Sequence, residues 1–151
     1  FISREGGTRL DPKDPSFATL GSKLTLQGRQ VFNFAVKSLD EVARNLCAEA
    51  GTEPAKLDWI FAHQANGRII EAVARRMDLP LSKFFMNIES TGNTSAASIP
   101  VALDDAVRSG KLREGMRIAL IGFGAGLTYG GTLLNWPGAP ATTPHIHVQT
   151  H

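Results

Sequence analysis

A single cysteine stands among the 151 residues, so no disulfide can close within the chain and no cysteine-rich zinc site can form. One thiol suits a reducing compartment. Neither charge sign dominates: 16 Lys+Arg face 14 Asp+Glu, a formal net charge of +2. That balance excludes a strongly basic nucleic-acid binder and an acidic disordered chain. No apolar run nears the ~18 residues that cross a membrane, and the longest, around Ile118–Gly126, is short and rich in glycine. Residues 1–7 hold no basic stretch followed by an apolar core and predict no signal peptide. The first residue is Phe1, and the missing methionine hints at a piece of a longer protein. The expectation is a cytoplasmic protein that contacts neither nucleic acid nor membrane. What is present, 42% hydrophobic and 20% charged residues, fits one globular domain. A chain of this size buries roughly 70% of its unfolded surface, so it can hold a core without staples.

Residues 1–23 read as irregular, with Asp11-Pro12 and Asp14-Pro15 as turn formers. Val31, Phe34, Ala35, Leu39, Val42 and Leu46 recur at three- and four-residue steps and predict a helix from about Leu24 to Ala50, stopped by Gly51. Leu57–Ala62 reads as a short buried strand. Ile69, Ile70, Val73 and Met77 form the apolar stripe of a helix over Asn66–Met77, with Asn66 as its N-cap. Phe84–Ile88 reads as a strand, Ser90–Ser95 as a polar turn, and Ser95–Ser109 as a helix that tolerates Pro100 near its first turn and ends at Gly110. Arg117–Phe123 and Leu127–Trp136 read as strands joined by a tight glycine turn. Alternation of this kind predicts an α/β fold, a mostly parallel sheet covered by helices with a C-terminal antiparallel hairpin. Residues 137–151 hold three prolines, three histidines and no Lys, Arg, Asp or Glu, and read as a flexible tail.

Four segments carry candidate chemistry. His63 follows an apolar strand and precedes a helix start, the kind of loop where sites form at the carboxyl ends of strands; it can equally be a histidine satisfying a local hydrogen bond. Asn93, in Gly92–Ser95, occupies the same kind of loop, either as turn and cap chemistry or as a neutral amide donor pointing into a site. Gly122–Gly126 invites a dinucleotide-binding reading. The segment after it reads as a strand, however, and no acidic residue follows, so the fingerprint fails. A glycine-rich reversal can instead expose backbone N–H groups to an oxyanion, or be a plain hairpin. Arg68 and Arg75 are seven residues apart and share a helix face with Arg76 nearby. That patch is either solvated, with Glu71–Arg75 as an i,i+4 pair, or a surface for a phosphate or an acidic carrier. Cys47 has neither a helix N-terminus nor a neighbouring histidine to lower its pKa and reads as an inert thiol. His145, His147 and His151 lie in the tail without the supporting shell a metal site needs, so no metal is expected.

Three runs together, Ala62–Ile70 (AHQANGRII), Gly92–Ser98 (GNTSAAS) and Gly122–Gly131, resemble the C-terminal half of a β-ketoacyl-[acyl-carrier-protein] synthase III, a thiolase-fold condensing enzyme. The resemblance runs from about Leu10 to Trp136, and Asn93 stands 30 positions after His63 as the family's order requires. It implies a thiolase-like half over 1–136 with a mixed, mostly parallel five-stranded-type sheet, and a Cys-His-Asn triad with His63 and Asn93 as two members. The cysteine would belong to an N-terminal half outside this chain, and Cys47 does not correspond to it. The glycine turn would supply an oxyanion-hole N–H at Ala125, where the family has glycine. Gly28, Arg29 and Phe32 resemble a pantetheine-tunnel wall, with Arg29 departing from the family's usual asparagine. Asn66 joins that substrate-binding set, and Arg68, Arg75 and Arg76 fall on a carrier-protein-binding face. The implied reaction is decarboxylative Claisen condensation of an acyl-CoA primer with malonyl-acyl carrier protein. It uses CoA and phosphopantetheine thioesters as substrates and no cofactor, in a homodimer. Two other readings keep the fold: acyl transfer to a hydroxyl or amine, and a non-catalytic carrier-binding subunit.

Overall fold

The computed structural model describes residues 2–3, 24–25 and 28–138. Two short strands, β1 (Ile2–Ser3) and β2 (Leu24–Thr25), pair antiparallel. Helix α1 (Gly28–Glu49) follows, then β3 (Trp59–Ala62), α2 (Gly67–Met77), a single turn α3 (Ile88–Thr91), α4 (Ser98–Arg108) and the hairpin β4 (Arg117–Gly124) and β5 (Thr128–Asn135). The larger sheet runs β3-β4-β5, with β3 parallel to β4 and β5 antiparallel to it. A parallel bridge from Ile60 to Phe84 extends it on the far side of β3.

The α/β class and the closing hairpin are as the sequence predicts; among the described residues the larger sheet has three strands rather than five. Local boundaries moved for physical reasons. The first long helix begins at Gly28, because Leu24–Thr25 pairs with Ile2–Ser3; those two residues are also extended rather than irregular. Phe84–Ile88 is not a strand: beyond Phe84 the backbone N–H groups of Asn87 and Ile88 donate to the Gln64 side chain, and Ile88 opens α3. The helix expected over Ser95–Ser109 is split. Ser95 sits at φ 53, a 3-10 turn covers Ser95–Ala97, and the α-helix proper starts at Ser98. Gly51 and Gly110 take positive φ and end their helices as expected. The expected irregular stretch over 4–23 and the tail from 139 onward, with His145, His147 and His151, lie outside the described residues.

Strand alternation sends side chains to two layers of helix. Ile60, Ala62, Ala119, Ile121 and Phe123 meet Ala35, Leu39 and Val42 of α1 and Ile70 and Val73 of α2. Phe61 and Ile118 point the other way, onto Ala102 and Ala106 of α4. Helices thus pack on both faces of the sheet around β3 and the start of β4, while most of β5 stays exposed. Cys47 is fully buried in the first layer. Burial raises its thiol pKa, an effect opposed in part by the charge of Arg117, so the thiol stays protonated and inert, as the sequence predicts.

Candidate active site

Because β3 and β4 are parallel, their carboxyl ends lie side by side, and the site forms there. His63 directly follows β3, and its backbone N–H donates to Ile121 O at 2.9 Å, which continues the parallel ladder and anchors the residue. Its ring lies against Phe123, with centroids 5.2 Å apart, and its Nδ1 is 2.7 Å from Ser98 Oγ at the start of α4. Nε2 has no hydrogen-bond partner among the described residues, and His63 lines the cavity.

Asn93 reaches the same cavity from the loop between α3 and α4. Gly92, at φ 67, turns the chain out of α3. Asn93 Oδ1 then accepts from Ser95 N–H at 2.9 Å, so the acceptor half of the amide is occupied, while the NH₂ half has no partner among the described residues. Ala125 closes the cavity from the β4–β5 turn. The positive φ values of that turn fall on Gly126 and Leu127, not on Ala125, so alanine adopts the conformation required there without left-handed strain. His63, Asn93 and Ala125 therefore surround one open cavity of about 940 Å³, walled further by Ser98, Ile99, Phe123 and Tyr129.

The other sequence candidates lie elsewhere. Gly28, Arg29 and Phe32 occupy the first turns of α1 and do not line the cavity. That helix touches the cavity wall indirectly, through an edge-on contact of Phe34 with Tyr129 at 5.8 Å. Asn66 caps α2, its Oδ1 accepting from Arg68 N–H at 3.0 Å. Arg68 and Arg75 are exposed, the latter 3.9 Å from Glu71. Arg76 is committed differently: its Nε donates to Asp40 Oδ2 at 2.8 Å, while Arg44 Nε donates to Oδ1 of the same nearly buried carboxylate at 2.6 Å. This cluster ties α2 to α1 and turns Arg76 away from the Arg68/Arg75 stripe, since adjacent helical residues point about 100° apart.

Two residues of the site carried no signal of their own in the sequence. One is Ser98. The other is Gln64, 1% exposed, whose Oε1 accepts from Asn87 N–H at 3.1 Å and Ile88 N–H at 3.0 Å while its Nε2 donates to Phe85 O at 3.2 Å. Gln64 thereby fastens the segment leading to Asn93 onto the loop that holds His63. Asn87 Nδ2 adds a 2.6 Å bond to Asp105 of α4. Both stand inside the runs that carry the family resemblance, Ala62–Ile70 and Gly92–Ser98, but no spacing rule marks a buried polar clamp, so neither was given a role there.

Burial lowers the His63 pKa from its ordinary 6.5. The imidazole is therefore neutral in the folded chain at neutral pH. As pH falls below about 6.5 the unfolded chain binds a proton that the folded chain still refuses, so stability drops through that range and levels off below the lowered folded value. Thermal denaturation scanned from pH 8 downward is expected to show this loss and to show less of it in His63→Gln. Equal pH slopes for the two proteins would contradict it.

Residues 47–136 match the family model for the C-terminal region of 3-oxoacyl-[acyl-carrier-protein (ACP)] synthase III. The chain belongs to this family. It is 48% identical over 113 residues to the β-ketoacyl-[acyl-carrier-protein] synthase III of Synechocystis, covering 75% of this chain and 34% of that protein. The crystal structure of the Pseudomonas aeruginosa PAO1 synthase III superposes with a TM-score of 0.74 at 43% identity, covering 77% of this chain and 37% of that one. The priming β-ketosynthase of the R1128 polyketide pathway does so with a TM-score of 0.74 at 39% identity, covering 82% and 37%. The chain thus spans about a third of the length of the synthase III relatives it matches.

Proposed function

We propose that this chain supplies the histidine and asparagine of a Cys-His-Asn condensing site, with the cysteine on an N-terminal half outside the 151 residues. In the reaction, a cysteine thiolate takes an acyl group from acyl-CoA. A malonyl thioester on acyl carrier protein then loses CO₂, and negative charge gathers on its thioester oxygen. His63 Nε2–H and the Asn93 amide donate to that oxygen; the resulting carbanion attacks the acyl-cysteine, the tetrahedral oxygen rests against backbone N–H groups such as that of Ala125, and its collapse breaks the C–S bond, releasing the cysteine thiolate and the β-ketoacyl thioester. Two neutral donors suit this step, because they stabilise the enolate without holding the carboxylate that must leave. The observation that carries the reading is the convergence of His63 and Asn93 on one cavity, each with its other hydrogen-bonding atom already engaged inside the protein.

Arg68 and Arg75 would face the acidic carrier, and Gly28, Arg29, Phe32 and Asn66 the phosphopantetheine arm; Arg76, held by Asp40, is the weakest member of the carrier-binding set. The working enzyme would be a cytoplasmic homodimer with no resident cofactor. Likeness to synthase III proteins favours fatty acid initiation, while the R1128 relative makes polyketide priming the second reading. The test is thioester chemistry in the full-length enzyme that contains this segment. Release of CO₂ from malonyl-acyl carrier protein with formation of a β-ketoacyl product is expected. Transfer of the acyl group to an alcohol or amine without CO₂ release would replace condensation with simple acyl transfer. Native mass spectrometry giving a protein of 16.2 kDa with no partner would overturn the two-half site.

A further inference from the structure

The hydrogen bond between His63 Nδ1 and Ser98 Oγ has a direction that the surroundings decide. Ser98 is 4% exposed, and His63 Nδ1 is the one hydrogen-bond partner its hydroxyl has among the described residues. If Nδ1 carried the proton and donated to Oγ, the serine hydrogen would have no acceptor among the described protein groups, and leaving such a nearly buried hydroxyl unpaired costs roughly 1–3 kcal/mol. If Oγ–H donates to a bare Nδ1, both groups are satisfied and the imidazole proton must sit on Nε2. The position of Ser98 makes this arrangement rigid: it is the first residue of α4, fixed to the sheet by Ala102 and Ala106 in the core. The 3-10 turn before it, with Ser95 at φ 53, also carries the Ser95 N–H that orients Asn93.

We infer that Ser98 is a positioning residue, whose buried hydroxyl donates to His63 Nδ1 and so holds the ring in place with its proton on Nε2, facing the cavity. One turn of chain thus sets both donors, Ser95 N–H fixing the asparagine amide and Ser98 Oγ–H the histidine tautomer. The catalytic consequence rests on the proposed condensing function; the tautomer does not.

Nitrogen-15 NMR of the histidine rings in the 151-residue chain reads the tautomer directly, with His63 assigned by the signal missing from His63→Gln. A bare Nδ1 and a protonated Nε2 are expected in the parent chain and in Ser98→Thr, which keeps the hydroxyl. In Ser98→Ala the two nitrogen signals should move toward each other as both tautomers become populated. A protonated Nδ1 in the parent chain, or a spectrum unmoved by Ser98→Ala, overturns the inference. In the full-length enzyme, Ser98→Ala should lower kcat for malonyl decarboxylation roughly fivefold, equivalent to about 1 kcal/mol, with KM changed less than about twofold and Ser98→Thr restoring the rate. Unchanged kcat would remove Ser98 from the mechanism. If the parent enzyme decarboxylates nothing, the condensing function itself fails, and the spectrum still decides the role of the hydroxyl.

Discussion

Replacing His63 or Asn93 by alanine in the full-length enzyme is expected to abolish malonyl decarboxylation for practical purposes, while some acylation of the cysteine survives. Each substitution removes one donor from the oxygen where charge develops, and loss of a single such donor costs on the order of 10²–10³ in rate. The two steps separate because acylation begins from a thiolate and a thioester and does not pass through the enolate that these donors serve. Asn93→Asp sharpens the test. Its carboxylate can still accept from Ser95 N–H, so the loop keeps its turn. What faces the cavity is then a negative oxygen, which repels an enolate instead of stabilising it. A larger loss than in Asn93→Ala is therefore expected, measured as CO₂ release from malonyl-acyl carrier protein beside a separate assay of cysteine acylation. Unchanged decarboxylation in either alanine variant would sink the role assignment.

Gly131→Ala is expected to destabilise the fold by about 3 kcal/mol, while Gly130→Ala, one residue away, changes stability far less. A Cβ at 131 would stand 2.6 Å from Leu120 O, 2.8 Å from Val42 Cγ1 and 2.9 Å from Ile121 Cγ2. The first of these is backbone of β4, the strand registered against β5, and cannot move without disturbing that ladder. The second belongs to α1, which packs directly over this part of the sheet. A Cβ at Gly130 meets nothing within 4 Å. Urea denaturation of the two variants beside the parent chain measures the difference. Equal midpoints would mean that α1 does not sit on β5 as described. Because β5 also walls the cavity through Tyr129, Gly130 and Gly131, a helix displaced by Gly131→Ala would carry the site with it.

These two predictions draw on different kinds of information. The loop of His63 was legible from the chain alone, because an apolar run, a polar break and a capping residue are all local in sequence; Asn93 was not, since the segment before it only resembles a strand, and the pairing of the two residues came from the family resemblance. The apolar stripes of α1 and α2 and the closing hairpin were legible for the same reason. Gly130 and Gly131 are indistinguishable in the sequence. Which of them lies beneath a helix depends on strand register and on where α1 crosses the sheet, and both arise from contacts between residues far apart in the chain.

The same division explains the local corrections. Phe84–Ile88 has the composition of a strand, yet the N–H groups of Asn87 and Ile88 are captured by the buried side chain of Gln64, more than twenty positions earlier. Ser95–Ser109 has helical periodicity, yet it starts late because Ser95 turns to present its N–H to Asn93. Arg76 follows Arg75 in a basic run, but Asp40 on another helix claims its guanidinium.

The sequence by itself determined the α/β class and the approximate elements, since periodicity and capping are properties of neighbouring residues, and its resemblance to a family singled out His63 and Asn93 as candidate donors. Only the tertiary structure decided how those donors are held. The hydroxyl of Ser98 on His63, the amide of Gln64 across two loops and the bare Gly131 under α1 depend on close approach in space, where burial favours polar groups that find a partner and penalises an added carbon that finds no room.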